Sequence, residues 1–157
     1  MQNFLFLFIA FLSANALADE KCEARANLAG TLAVTKYTVR ESLRENPMSG
    51  PMGEVWRHLA YMSAEDYQKL GDSPEQIKRV AKLIAENDTS SDWRIDLLVF
   101  NEFFREVCEA KLNVLDIPSL DAKLLGSCFG DAPPGKQGFS DCIRAHVNKI
   151  SEGTSTK

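Results

Sequence analysis

Apolar residues recur along this chain at three-, four- and seven-residue spacings, the period of helices with one buried face. From about Lys21 to Glu45, Cys22, Ala29, Leu32, Val39 and Leu43 share such a face, until Asn46-Pro47 ends the pattern. The breaker-rich run Met48 to Gly53 reads as a loop, and Glu54 to Met62 as a short helix carrying Trp56, Leu59 and Ala60. Ser63 with Asp66 three residues on has the spacing of a capping box. The helix it opens stops at Gly71, because glycine enters the left-handed conformation past a helix end cheaply. Ser73-Pro74 opens the next helix, with serine as cap and proline where a missing N–H does no harm. That helix sets Ile77, Val80, Ala81 and Ile84 on one side and Lys78, Lys82 and Glu86 on the other, and runs out near Asn87.

The 92–112 segment carries the widest apolar stripe: Trp93, Leu97, Phe100, Phe104, Val107 and Cys108, opposed by a polar line of Arg94, Asn101, Arg105 and Glu109. Leu97 to Phe100 are apolar nearly all round, as suits a helix contacted on several sides. Leu98 falls on the polar line, so either a neighbouring segment covers it or it is a contact point. A further helix is expected from Pro118-Ser119 to Phe129, a loop from Gly130 to Gly138, and a last helix from Phe139 to Ile150. No stretch alternates with the period of a strand. The expected fold is an all-α, disulfide-braced bundle of about six helices around a central 92–112 helix. Residues 19–150 form the domain and residues 151–157 a disordered tail.

The N-terminus does not fit the bundle. Leu5 to Leu12 are an unbroken apolar run, well short of the roughly 20 residues a membrane helix needs. Ala16-Leu17-Ala18 follows as a peptidase-like site, and then Asp19-Glu20, so residues 1–18 read as a signal peptide. Its n-region carries no Lys or Arg, which leans towards a eukaryotic source. Residues 1–18 hold no charge, so the net −4 lies entirely in the exported part. An acidic balance without a basic run argues against nucleic acid, and no second apolar stretch supplies a membrane anchor. The expected location is therefore secreted and extracellular.

All four cysteines, Cys22, Cys108, Cys128 and Cys142, follow the signal segment, and an even number in an exported chain reads as two disulfides. Three pairings are possible. Cys128 and Cys142 flank one loop between two helices and would meet if those helices are antiparallel, which favours Cys128–Cys142 and leaves Cys22–Cys108. A metal centre is not expected, because there is no Cys-x-x-Cys and neither His58 nor His146 makes a ligand pair with the cysteines. Asn87-Asp88-Thr89 is an N-glycosylation sequon, usable in a eukaryotic secretory route.

Catalytic patterns are missing from the sequence: no Gly-x-Ser-x-Gly, no His-Glu-x-x-His, no phosphate loop. His58 reads as a partly buried structural side chain and His146 as a solvated or capping one. Neither enzyme activity nor a cofactor is expected. The layout of the mature chain, in size, helix content and cysteine number, resembles the helical two-disulfide salivary proteins of mosquitoes that block complement or contact-pathway activation. That resemblance implies a secreted inhibitor with an extracellular protein as partner and carries over no functional residue. Contact regions then come from the chain itself: the Met48–Gly53 loop, the Asn87–Asp92 loop, the loop with Lys136 and Gln137, and Leu98. Two other readings remain. Trp93, Phe100, Phe103 and Phe104 could line a chamber for a small apolar ligand, although odorant-binding carriers have a close cysteine pair that is missing here. A periplasmic immunity protein against a secreted toxin is the third.

Overall fold

The structure is a computed structural model, and it describes residues 20–37 and 64–154 apart from Pro133. The expected signal peptide, the Met48–Gly53 loop and the 54–62 helix with His58 lie outside the described residues. Within them every regular element is helical: α1 (20–37), α2 (Ala64–Leu70), α3 (Pro74–Glu86), α4 (Trp93–Glu109), a 3-10 turn (Val114–Asp116), α5 (Ala122–Asp131) and α6 (Gln137–Thr154). No described helix is long and apolar enough to cross a membrane.

Local chemistry sets most boundaries. Gly71 ends α2 at φ 58°. Ser73 caps α3: its hydroxyl accepts from Gln76 N at 3.3 Å while its own N–H donates to Gln76 Oε1 at 2.8 Å. Asp92 caps α4 by accepting from Arg94 N at 2.9 Å. At the other end α4 closes through Lys111, which takes the left-handed conformation at φ 54°.

The core forms around α4, as its all-round apolar pattern predicts. Val99, Phe100, Phe103, Phe104 and Val107 have no exposed surface, and the Phe103 and Phe104 rings meet edge to face at 5.1 Å. Burying each such side chain stabilises the fold by about 1.5–3 kcal/mol. Leu28, Leu32 and Ala33 of α1, Ile77, Val80 and Ile84 of α3, Leu125 of α5, and Ile143 and Val147 of α6 complete the cluster. Helix α4 packs on α5 and α6, α5 packs on α6, and α3 packs on the 3-10 turn. The disulfides are Cys22–Cys108, joining α1 to α4, and Cys128–Cys142, joining α5 to α6, with Cα–Cα separations of 5.4 and 5.6 Å.

Several expectations need correction. Helix α5 starts at Ala122 rather than Pro118, with Asp121 accepting from Leu124 N at 3.0 Å. The upstream carbonyls of Ile117 and Pro118 accept instead from Arg79 of α3, at 2.8 Å for Pro118, so this stretch needs no helical bonds of its own. The loop expected from Gly130 to Gly138 shrinks, because α5 runs to Asp131 and α6 begins at Gln137. Helix α6 continues to Thr154, so residues 151–154 are helical rather than tail. Trp93, placed on the core stripe, is 45% exposed, and Leu124 is 43% exposed.

Candidate functional site

The largest cleft among those described, about 720 Å³, opens where α1 begins, α3 begins and α4 ends. Its wall includes the Cys22–Cys108 disulfide, which ties the first turn of α1 to the last turn of α4. Arg25, one turn on from Cys22, is buried and donates through Nε to Asp72 Oδ2 at 2.8 Å, with a second bond from its terminal nitrogen to Oδ1. This two-pronged pair anchors the bend after α2 to α1. Lys21 adds a cation 3.9 Å from Asp72, and its Cε would lie only 3.1 Å from a β-carbon on Gly71. Opposite stand Lys111 and Glu109, while Gln76 donates to Asn113 Oδ1 at 3.3 Å across the rim. Partial desolvation, and then the negative charge of Glu106 one turn back, raise the pKa of Glu109 above the usual carboxylate range.

This lining offers cations, carboxylates and amides, and no hydroxyl, imidazole or free thiol. It can hold the charged and amide side chains of a partner.

At the far end of α1 the polar chemistry turns inward. Lys36 has no exposed surface; its ammonium donates to Ile84 O at 3.2 Å, Asn87 O at 2.6 Å and Asp96 Oδ2 at 2.5 Å. All three N–H groups are thereby used, with Asp88 at 3.0 Å and the Phe100 ring centroid at 5.1 Å. The carbonyls it meets lie at the negative end of the α3 dipole. Asp96, equally buried, accepts through Oδ1 from Thr89 N at 2.7 Å, Thr89 Oγ1 at 2.5 Å and Ser90 N at 3.2 Å. Tyr37 OH donates to Ser90 O at 2.5 Å, and the Thr89 carbonyl lies where a β-carbon on Gly126 would have to go.

These bonds decide the standing of the contact regions read from the sequence. The Asn87–Asp92 loop is pinned by hydrogen bonds to three helices, α1, α3 and α4, with Gly126 of α5 packed close against Thr89. Within the sequon, Asn87 is half-buried with Nδ2 donating to Leu83 O at 2.7 Å, and the Thr89 hydroxyl is taken up by Asp96. Lys136 and Gln137 are exposed at the α5–α6 connection, where Gln137 Nε2 donates to Asp141 Oδ1 at 2.9 Å. Leu98 is half-buried on α4, on a different element from that pair. Of the aromatic set, Phe100, Phe103 and Phe104 are fully buried in the core, and Trp93 is 45% exposed.

Sequence reasoning missed two groups. The Lys36–Asp96 pair was hidden because a lysine on a helix reads as a solvent position; the visible signal was Asp96, a carboxylate between Ile95 and Leu97 on an otherwise apolar surface. His146, expected to be solvated or capping, is half-buried against the second disulfide, within 4.8 Å of both its sulfurs. The signal there was the Cys142-x-x-x-His146 spacing, one helical turn. Comparison with known proteins finds no matching family model, no matching curated protein and no matching solved structure.

Proposed function

We propose that the chain is a secreted, non-enzymatic binding protein that acts on an extracellular protein through its outer surface, as an inhibitor. The observation that carries this reading is the contrast between core and cleft. Three of the aromatic side chains that could have enclosed an apolar ligand, Phe100, Phe103 and Phe104, are fully buried in the core, whereas the open space of about 720 Å³ is walled largely by charge and amide. Charged, amide-rich concavities on a rigid scaffold suit a protein partner better than a lipid-like one. The leader-like N-terminus and the two disulfides support export, and the layout shared with mosquito salivary inhibitors directs the target class to complement or contact activation.

The test is inhibition of complement and contact-pathway activation in plasma by the refolded mature chain. Dose-dependent inhibition is expected, weakened at least ten-fold in the Lys21→Glu/Lys111→Glu variant. Native mass spectrometry of the same preparation covers the carrier reading. A co-purified apolar ligand with no effect on either cascade would overturn the proposal.

A further inference from the structure

We propose that Cys128, Cys142 and His146 form a zinc site whenever the Cys128–Cys142 disulfide is reduced, so that this disulfide is the closed state of a redox-gated metal centre. Three observations carry the inference. Each residue offers one ligand atom, and these atoms lie within 4.8 Å of one another on the facing surfaces of α5 and α6. Cys142 and His146 are one turn apart on α6 and so project on the same side. The three residues are buried to half-buried, so few waters compete for a bound ion.

The geometry needs little change. Zn–S bonds of about 2.3 Å and Zn–N bonds of about 2.0 Å give tetrahedral edges of about 3.5–3.8 Å. The Cα atoms of Cys128 and Cys142 stand 5.6 Å apart, so once the bond is reduced side-chain rotation on fixed helices can set both sulfurs at that edge. The crosslink is not the sole tie between these helices: Leu125 of α5 and Ile143 and Val147 of α6 belong to the core cluster.

The chemistry balances with a dithiol reductant. It delivers two electrons and two protons to the sulfur pair and becomes a disulfide itself, leaving Cys128 and Cys142 as thiols. Zn²⁺ then displaces both thiol protons to solvent, and the imidazole donates its lone pair. Two thiolates cancel the charge of the ion, so the occupied site brings no net charge into the half-buried space. Water fills the fourth position, as it does in three-ligand zinc sites. The site is independent of the binding function proposed above.

Cobalt titration of the purified chain, reduced with a water-soluble phosphine under argon, tests this directly. One Co²⁺ per chain is expected, with thiolate-to-cobalt charge transfer and the strong visible bands of four-coordinate cobalt, all lost on adding Zn²⁺. His146→Ala should weaken binding at least ten-fold, and the oxidised chain should give no charge-transfer band. Alkylation with iodoacetamide assigns the ligands: bound metal should protect Cys128 and Cys142 while Cys22 and Cys108 react. If reduction lowers the helical circular dichroism, Zn²⁺ should restore it. Absence of the band, equal affinity in His146→Ala, protection of all four cysteines, or helicity that Zn²⁺ fails to restore would each overturn the proposal.

Discussion

At one end of the α1–α4 pair, Cys22 is bonded to Cys108; about four turns farther along α1, Lys36 reaches back to Asp96 near the start of α4. The same two helices are thus clasped twice, once covalently and once by a buried ion pair. The clasps act on different states of the chain. The disulfide spans 86 residues and works by restricting the unfolded chain, and both of its cysteines line an open cleft. The ion pair exists only when α1, α3, α4 and the Asn87–Asp92 loop are all in place, and both partners are fully buried. A covalent clasp tolerates a wet, charged neighbourhood, and so it stands where the chain presents its candidate binding surface. An ionic clasp needs every donor matched, and it stands where the surface is closed.

Removing each clasp separately tests the contrast. Cys22→Ala/Cys108→Ala should lower unfolding free energy the most, by about 4.6 kcal/mol in the loop-entropy picture for a separation of 86 residues. The native helicity of whatever remains folded should be unchanged. Lys36→Met should follow closely, at about 3–5 kcal/mol, because it strands a buried Asp96 carboxylate. Urea denaturation distinguishes them through a third variant. Lys36→Met/Asp96→Asn should recover at least about 1 kcal/mol over Lys36→Met, since no charge is left buried. A cost below about 1 kcal/mol for Lys36→Met would break the comparison, leaving the covalent clasp alone in holding the pair.

The two clasps were unequally legible in the sequence. An even number of cysteines pointed to two disulfides, and the loop between Cys128 and Cys142 favoured, among three connectivities, the one the structure holds. Helix identity and the helix ends at Gly71 and Ser73-Pro74 were equally open, because they depend on near neighbours. The ion pair was not, since Lys36 and Asp96 stand 60 residues apart and neither makes sense alone. The same reason covers the late start of α5, set by Arg79 of α3 rather than by Pro118, and the outward turn of Trp93. For the candidate site, the sequence located loops by composition but could not tell a pinned loop from a free one. The cleft beside Cys22–Cys108 had no signature, because three distant segments build it.

Helix α5 supplies a smaller probe of the ionic clasp, and one with a sign. Alanine in place of a helical glycine ordinarily stabilises by up to about 1 kcal/mol. At Gly130 the new β-carbon would meet nothing, so Gly130→Ala should show that gain. At Gly126 it would be driven into the Thr89 carbonyl, whose residue also donates twice to Asp96. Gly126→Ala should therefore lose about 1–3 kcal/mol. Thermal unfolding of the two variants side by side gives both signs. A gain in both would mean that the loop yields easily and is not pinned.

The smallest expected effect belongs to the covalent end. Glu109 is the last residue of α4, where a carboxylate opposes the helix dipole, and it follows Glu106 by one turn. Its folded-state pKa is raised, first by desolvation and then by Glu106. A carboxyl with a raised folded pKa binds its proton more tightly in the folded chain, so its ionised form detracts from stability. That penalty is fully present above the folded pKa, fades as pH falls through it, and is absent below the unfolded pKa. Glu109→Gln should accordingly stabilise at neutral pH, by less than about 1 kcal/mol because the side chain is exposed, and the gain should vanish in acid. Urea titrations of both forms at neutral and acidic pH read the difference. Because Glu106 and Glu109 share one helix, the gain should survive in the Cys22→Ala/Cys108→Ala background. If it disappears there, the repulsion depends on the disulfide holding the cleft closed around Glu109, and the two clasps are less separate than their chemistry suggests.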